Sequence, residues 1–484
     1  MSSPFPRDAL RAALRKSLPG IDPESAAGSR IPFTYVPPSH ARAIEPDSVL
    51  VEGIRGAGKS FWWNALKDDA HRRFVVSAFP ETRLRPGTEI GAGYGLASDS
   101  RFPAKDVITK LVAEHDPRHV WKAVVATNLG FGEVDTAATT WEARTQWVRG
   151  HAEDYEALLA QADRRLLQEG RNCIILFDAL DRLAADWSTL RPIAKALFQV
   201  ALDVRSCRAI RLKLFVRPDM IEDREIIGFP DASKLLGQKV SLTWRRADLY
   251  ALVFQCTGND PEHGAVFRDQ CDREFGSHWT QDPGGEAWVL PKSLRADEDL
   301  QKCVFHALAG PTMASGPSGH KRGFPFTWLP NHLADGREQV SPRSFCSALR
   351  AAAEHDQPDG WPFALHYRGL QVGVQKASQI RVDEVCEDLP WVRDAMTPLR
   401  QLVVPCPQED VIGRWESEGT AKRLRGQNLD KLPPQHLDDG PRGLLQDLQF
   451  ISLVDILGDG RVQMPDVYRI AFGLGRRGGV KPVR

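Results

Sequence analysis

Eight residues, Gly53-Ile54-Arg55-Gly56-Ala57-Gly58-Lys59-Ser60, restrict the fold of this chain more than any others. They fit the pattern G-x-x-x-x-G-K-[ST]. Ser48-Val49-Leu50-Val51-Glu52, a short apolar run, precedes them, and a helix-like stretch from Lys59 to about Ala70 follows. A strand that ends in such a loop and passes into a helix curls backbone N–H groups around a polyphosphate. Glycines permit both the required backbone conformations and the close approach, and the helix N-terminus adds a favourable dipole. The run Gly53, Gly56, Ala57, Gly58, Lys59, Ser60 and Phe61 is therefore assigned to nucleotide binding. Lys59 is expected to reach the β- and γ-phosphates and the Ser60 hydroxyl to hold Mg²⁺.

Such a loop needs a carboxylate nearby, and the dense run Cys173-Ile174-Ile175-Leu176-Phe177 ends in Asp178. Asp178 is expected to hold Mg²⁺, through water. Asp181 lies three residues on and has two readings: a general base that polarises the attacking water, or a first-turn aspartate that complements a helix dipole. Further apolar runs, Arg73–Phe79 and Arg211–Val216, read as strands. Trp141–Glu169 and Leu190–Val204 read as helices, and residues 80–105 as a long Gly-, Pro- and Ser-rich loop. Strands alternating with helices predict an α/β core with a parallel sheet over roughly 47–235.

The remainder is less regular. Residues 7–18 form a short amphipathic helix, with Leu10, Ala13, Leu14 and Leu18 on one side, followed by an irregular stretch to about Pro46. A helical run spans Asp248–Cys256, residues 257–342 read as irregular and polar, and a helix begins at Ser341-Pro342-Arg343. Leu444–Val454 gives a helix face passing into a strand, and Asp459-Gly460 is a hairpin turn signal.

GIRGAGKS together with IILFDALD resembles the P-loop NTPases of the AAA+ and STAND branch. The resemblance implies that a sensor strand lies between the P-loop strand and the acidic strand. RLKLFV ending in Arg217-Pro218-Asp219 is similar to that strand, with Arg217 in the γ-phosphate-sensing position. Arg343 at its helix start resembles the "sensor 2" arginine of a helical lid, and the segment from Leu444 onward resembles a C-terminal winged helix. The implied catalytic set is Lys59, Asp178, Asp181, Arg217 and Arg343, with ATP and Mg²⁺ as cofactors. The departure is at Ala179, where the branch carries a second adjacent acid. An acid three positions on is closer to the STAND pattern and suits a slow nucleotide switch. The expected fold is thus a parallel-sheet P-loop NTPase core with a helical lid and a winged-helix-like domain. The expected divisions are 1–46, 47–235, 236–380 and 381–484.

Length and charge refine this. At roughly 150 residues per domain, 484 residues allow about three domains. Lys+Arg and Asp+Glu are 63 each, so a zero net charge argues against a surface built wholly for nucleic acid. It leaves room for a local basic tail: Arg469, Arg476, Arg477, Lys481 and Arg484, around Gly478-Gly479, could meet DNA phosphates or face solvent or an oligomer partner. The eight cysteines form no CxxC pair, which argues against a zinc site or disulfide framework. No apolar leader or long apolar run is present, so a cytoplasmic, non-membrane chain is expected. Trp62 and Trp63 read either as sheet packing or as an adenine or partner contact.

Three functions fit these residues. The first is an ATPase acting as a nucleotide-driven switch or assembly motor, as a homo-oligomer or with a separate effector protein; kinship with the STAND branch suggests antiphage defence or signalling. The second is a DNA- or protein-binding accessory module of the replication or transposition type, using ATP as a switch ligand. The third is a small-molecule kinase.

Overall fold

The computed structural model describes residues 5–19, 31–85, 87–132, 140–316, 319–427, 431–477 and 480–482. The chain divides into two compact units, Val36–Thr243 and a second made of Met1–Tyr35 with Trp244–Arg484.

The first unit is built on five strands: β1 (Leu50–Glu52), β2 (Thr88–Tyr94), β3 (Asn172–Phe177), β4 (Ile210–Val216) and β5 (Val240–Ser241). Their order is β2-β3-β4-β1-β5, and all neighbours are parallel. Dense apolar runs suit the interior of such a sheet because both of its faces are covered. Ile174, Ile175, Leu176 and Phe177 accordingly have no exposed surface. The register sets Leu50 and Phe177 beside Leu214, so β4 lies between the P-loop strand and the acidic strand. Parallel pairing brings the ends of β1, β3 and β4 to one edge, where Gly53, Asp178 and Arg217 follow directly. Crevices at the carboxyl ends of parallel strands are where α/β sheets bind ligands. Lys213, fully buried in β4, donates to the carbonyls of Ala43 (2.7 Å), Glu45 (2.9 Å) and Ser48, tying the segment before β1 to the sheet.

Two local expectations are corrected in this unit. Arg73–Phe79 is not a strand; Arg73–Ala78 belongs to the helix Asp69–Ala78, and Phe79 follows its end. Its buried residues His71, Phe74 and Val75 recur at helical spacing, and the Asp68 side chain caps the start by accepting from the His71 N–H at 2.7 Å. Residues 80–105 are not a continuous loop, since they contain β2. Its glycines lower strand propensity but fit the packing. A Cβ at Gly93 would run into the ring of Phe177, and one at Gly95, just beyond the strand, into the indole of Trp63.

The second unit is mostly helical. The helix Arg7–Ser17 buries Leu10, Ala13 and Leu14 and packs on Pro342–Glu354, which also lies along the long helix Tyr367–Asp388. Residues 257–342 are more ordered than the sequence suggested. They include helices Gly264–Phe275, Glu298–Ala309 and Pro325–Leu333. Glu298–Ala309 is capped by Asp297 and buries Val304, Phe305 and Leu308 on one face; its polar side masks the pattern. Near the C-terminus the helix Gly440–Phe450 is followed by a two-stranded hairpin, Asp455–Ile456 with Val462–Gln463, turning at Asp459-Gly460. Among the described residues no helix is long and apolar enough to cross a membrane.

Candidate nucleotide site

The loop after β1 is fixed at its base by the Gly53 N–H, which donates to the Val216 carbonyl at 3.0 Å. Gly56 and Gly58 hold φ of 77° and 113°, a region L-residues rarely adopt, and Gly58 opens the helix Lys59–Lys67. The first turn of that helix leaves amide N–H groups without intrahelical acceptors, directed at the loop's concavity. Lys59 folds back over its own loop, Nζ donating to the carbonyls of Gly53 (2.7 Å) and Ile54 (3.0 Å). Burial pushes its pKa down to about 8, against the pull of Asp178 and Asp181.

Ser60 begins the same helix, and its Oγ donates to Asp178 Oδ2 at 2.6 Å. Asp178 is 2% exposed, and its N–H is anchored on the Tyr94 carbonyl at the end of β2. Burial raises its pKa, with Ser60 and Lys59 opposing. Ala179 then takes φ 57°, and the single turn Leu180–Arg182 carries Asp181 back to the same edge. Asp181 is held below the usual carboxylate range: burial works the other way, but Arg217 and then Lys59 outweigh it. Arg217, just past β4, lies with Nη1 3.4 Å from Asp181 Oδ2. Its Nε and Nη2 bind Asp219 Oδ1 and Oδ2, each at 3.0 Å.

The structure thus gathers Gly53, Gly56, Ala57, Gly58, Lys59, Ser60, Asp178, Asp181 and Arg217 at one end of the sheet. Phe61 sits in the first turn, its ring edge-on to Trp62 and His71. Arg343 belongs to the other unit, where it is ion-paired with Glu384. Trp62 and Trp63 are both buried, Trp62 Nε1 donating to His40 Nδ1 at 2.8 Å and Trp63 lying under the Lys67 ammonium at 4.0 Å. They pack; neither presents an open face. The sequence reading missed Asp219 and His40. Asp219 carried a signal, standing two residues past Arg217 with Pro218 starting a helix between them; His40 carried none.

The basic tail is corrected in one respect. Arg469 is fully buried, binding Asp466 at 2.7 Å and the carbonyls of Leu474 and Val480, so it supports the fold and is closed to a phosphate backbone. Arg476, paired with Asp466, and Arg477 and Lys481 are exposed. Gly478, Gly479 and Arg484 lie outside the described residues. All eight cysteines are free thiols, seven of them buried.

No protein-family model matches the chain, and no curated protein matches it. Among solved structures it is similar to the Aeropyrum pernix ORC2 protein in its ADPNP-ADP complexes, at 13% identity and TM-score 0.38, over 91% of this chain and 94% of that one. It is also similar to CDC6P from Pyrobaculum aerophilum, at 10% identity and TM-score 0.28, over 92% of this chain and 94% of that one. The strand order, the glycine loop at the end of β1 and the carboxylate at the end of β3 make this unit an α/β P-loop NTPase core.

Proposed function

We propose that the chain is a Mg²⁺-dependent P-loop ATPase of the AAA+/STAND kind, which binds and hydrolyses ATP as a nucleotide-driven switch or assembly motor. One observation carries the reading: the Ser60 hydroxyl and the Asp178 carboxylate meet at 2.6 Å beside Lys59, at the mouth of a glycine loop that opens a helix. A hydroxyl and a carboxylate are the hard oxygen donors that suit Mg²⁺. Ser60 and Asp178 would hold it, and when bound it would supply positive charge to offset that on the phosphate oxygens.

This chain's residues supply the rest. The loop amides from Gly53 to Phe61 orient the phosphates, and Lys59 exchanges the Gly53 and Ile54 carbonyls for phosphate oxygens. A polyanion there favours the charged ammonium, against the effect of burial. Asp181, kept ionised by Arg217, accepts a proton from the attacking water, and Arg217 faces the charge that develops on the transferred phosphoryl group. Arg343 takes the lid-arginine role, and the helix and hairpin from Gly440 to Gln463 act as a winged-helix-like module. The partner is a second copy of the chain or a separate effector protein. A DNA contact through the C-terminal segment would fall to Arg476, Arg477 and Lys481. Signalling in antiphage defence is the role we favour.

Two variants test the enzyme. Lys59→Ala is expected to abolish nucleotide binding. Asp181→Asn is expected to retain binding and lose about 10²-fold or more in hydrolysis. Binding by fluorescent-nucleotide titration and turnover by phosphate release separate the two effects; normal turnover in both purified variants refutes the proposal.

A further inference from the structure

Arg217 is shared unequally between two carboxylates. Asp219 takes the Nε and Nη2 edge through two bonds of 3.0 Å, the fork-on-carboxylate geometry that is both stronger and more directional than a single contact. Asp181 meets only Nη1, at 3.4 Å. The plane of the guanidinium is therefore set by Asp219. All three side chains are largely buried, with 17%, 19% and 11% of the Arg217, Asp181 and Asp219 side chains exposed, so solvent screens the competition weakly. Backbone geometry reinforces the arrangement: Pro218 starts the helix Pro218–Glu222 directly after Arg217, which places Asp219 in its first turn.

Without Asp219, Asp181, already 3.4 Å from Nη1, is a carboxylate on which the fork can close. A bidentate pair with Asp181 would engage both of its oxygens and withdraw them from a water molecule. It would also turn Arg217 away from the direction in which Nη1 now points. We infer that Asp219 is a positioning residue of this site: it holds Arg217 by the far edge, so that Asp181 stays open as a base while Nη1 remains beside it. The inference rests on the reading of the site as an ATPase. It extends that reading to a residue that acts through Arg217.

The alternative is that the Arg217–Asp219 pair only pins the start of a short helix, in which case its loss would lower melting temperature and leave turnover alone. The experiment compares the full-length wild type with Asp219→Asn, Arg217→Ala and the double variant, with Lys59→Ala as the control for the underlying reading. Turnover, ATP affinity and melting temperature are measured for each. Asp219→Asn is expected to lower kcat about tenfold or more while nucleotide affinity stays within about threefold. The double variant is expected to be no slower than Arg217→Ala alone, because a residue acting through another adds nothing once that other is gone. Asp219→Glu, which keeps the charge but moves it by one methylene, is expected to recover part of the loss, and it serves in place of Asp219→Asn if that variant does not fold. Turnover within about twofold of wild type in Asp219→Asn, losses that add to those of Arg217→Ala, or an effect confined to affinity would each overturn the inference. A wild type that turns over and depends on Lys59, with Asp219→Asn unaffected, removes the inference alone. A wild type that neither binds nor hydrolyses ATP removes the ATPase reading and the inference with it.

Discussion

Ala179 shows how a single residue shapes this site. At φ 57° it occupies the left-handed region, which costs a non-glycine residue about 1–2 kcal/mol. The turn it makes sends the chain from Asp178, facing Ser60, to Asp181, facing Arg217. Asp181 thus reaches the same edge of the sheet one turn after Asp178. The loop and Asp178 were legible because their spacing is itself the chemistry. Asp219 and His40 were not, because each acts through a partner that only folding supplies. His40 makes a testable case. Its Nδ1 accepts from Trp62 and so stays unprotonated, and burial lowers its pKa from 6.5 to about 3. Between those values the unfolded chain binds a proton that the folded chain refuses. The stability tied to His40 is therefore complete above pH 6.5 and lost as pH falls toward 3. His40→Gln should flatten the decline between pH 6.5 and 4.5 by about 1–2 kcal/mol. Urea unfolding followed by tryptophan fluorescence at several pH values measures it. His71, lowered to about 4 by burial, keeps some slope in the variant; identical slopes in the two proteins would disprove the assignment.

At the scale of elements, sequence reading failed where composition and packing disagreed. The run Arg73–Phe79 has adjacent apolar residues and reads as a strand, yet the cap at Asp68 and the spacing of His71, Phe74 and Val75 make it a helix. β2 has the reverse problem. Its glycines weaken strand propensity, and close neighbours keep them: the Asn128 side chain at Gly91, and at Gly93 the Phe177 ring from the neighbouring strand. Gly93→Ala should destabilise the protein by about 1–3 kcal/mol through overpacking. Adding Phe177→Leu should recover part of that loss, since it frees the space that the new methyl needs. A double-mutant cycle from chemical denaturation reads the coupling; strictly additive losses would show that the ring is not the obstacle.

At the scale of the whole molecule, the chain separates into a parallel-sheet α/β unit and a mostly helical unit that combines the N-terminal helix with everything after Thr243. The partnership of Arg7–Ser17 with Pro342–Glu354 spans more than three hundred residues; each segment has an apolar side at helical spacing, but neither pattern says which element will cover it. If ATP drives assembly, mass in solution should rise from one copy to a ring-sized or larger species on adding ATP and Mg²⁺. Light scattering with size exclusion checks this, and Lys59→Ala should stay at the nucleotide-free mass. A wild type that remains a monomer with saturating ATP would remove the assembly motor and leave the switch.

The sequence by itself determined the glycine loop, its lysine and serine, the carboxylate closing a dense apolar strand and the parallel α/β class. These are local demands, in which residue type and spacing dictate backbone conformation or burial. The place of β4 between β1 and β3 was already implied by the resemblance; tertiary structure alone decided that Arg217 would be divided between Asp181 and Asp219, and that Arg469 would be spent inside the fold. The reason is that a charge's role depends on which other charges and carbonyls surround it once water is excluded, and those neighbours come from distant parts of the chain.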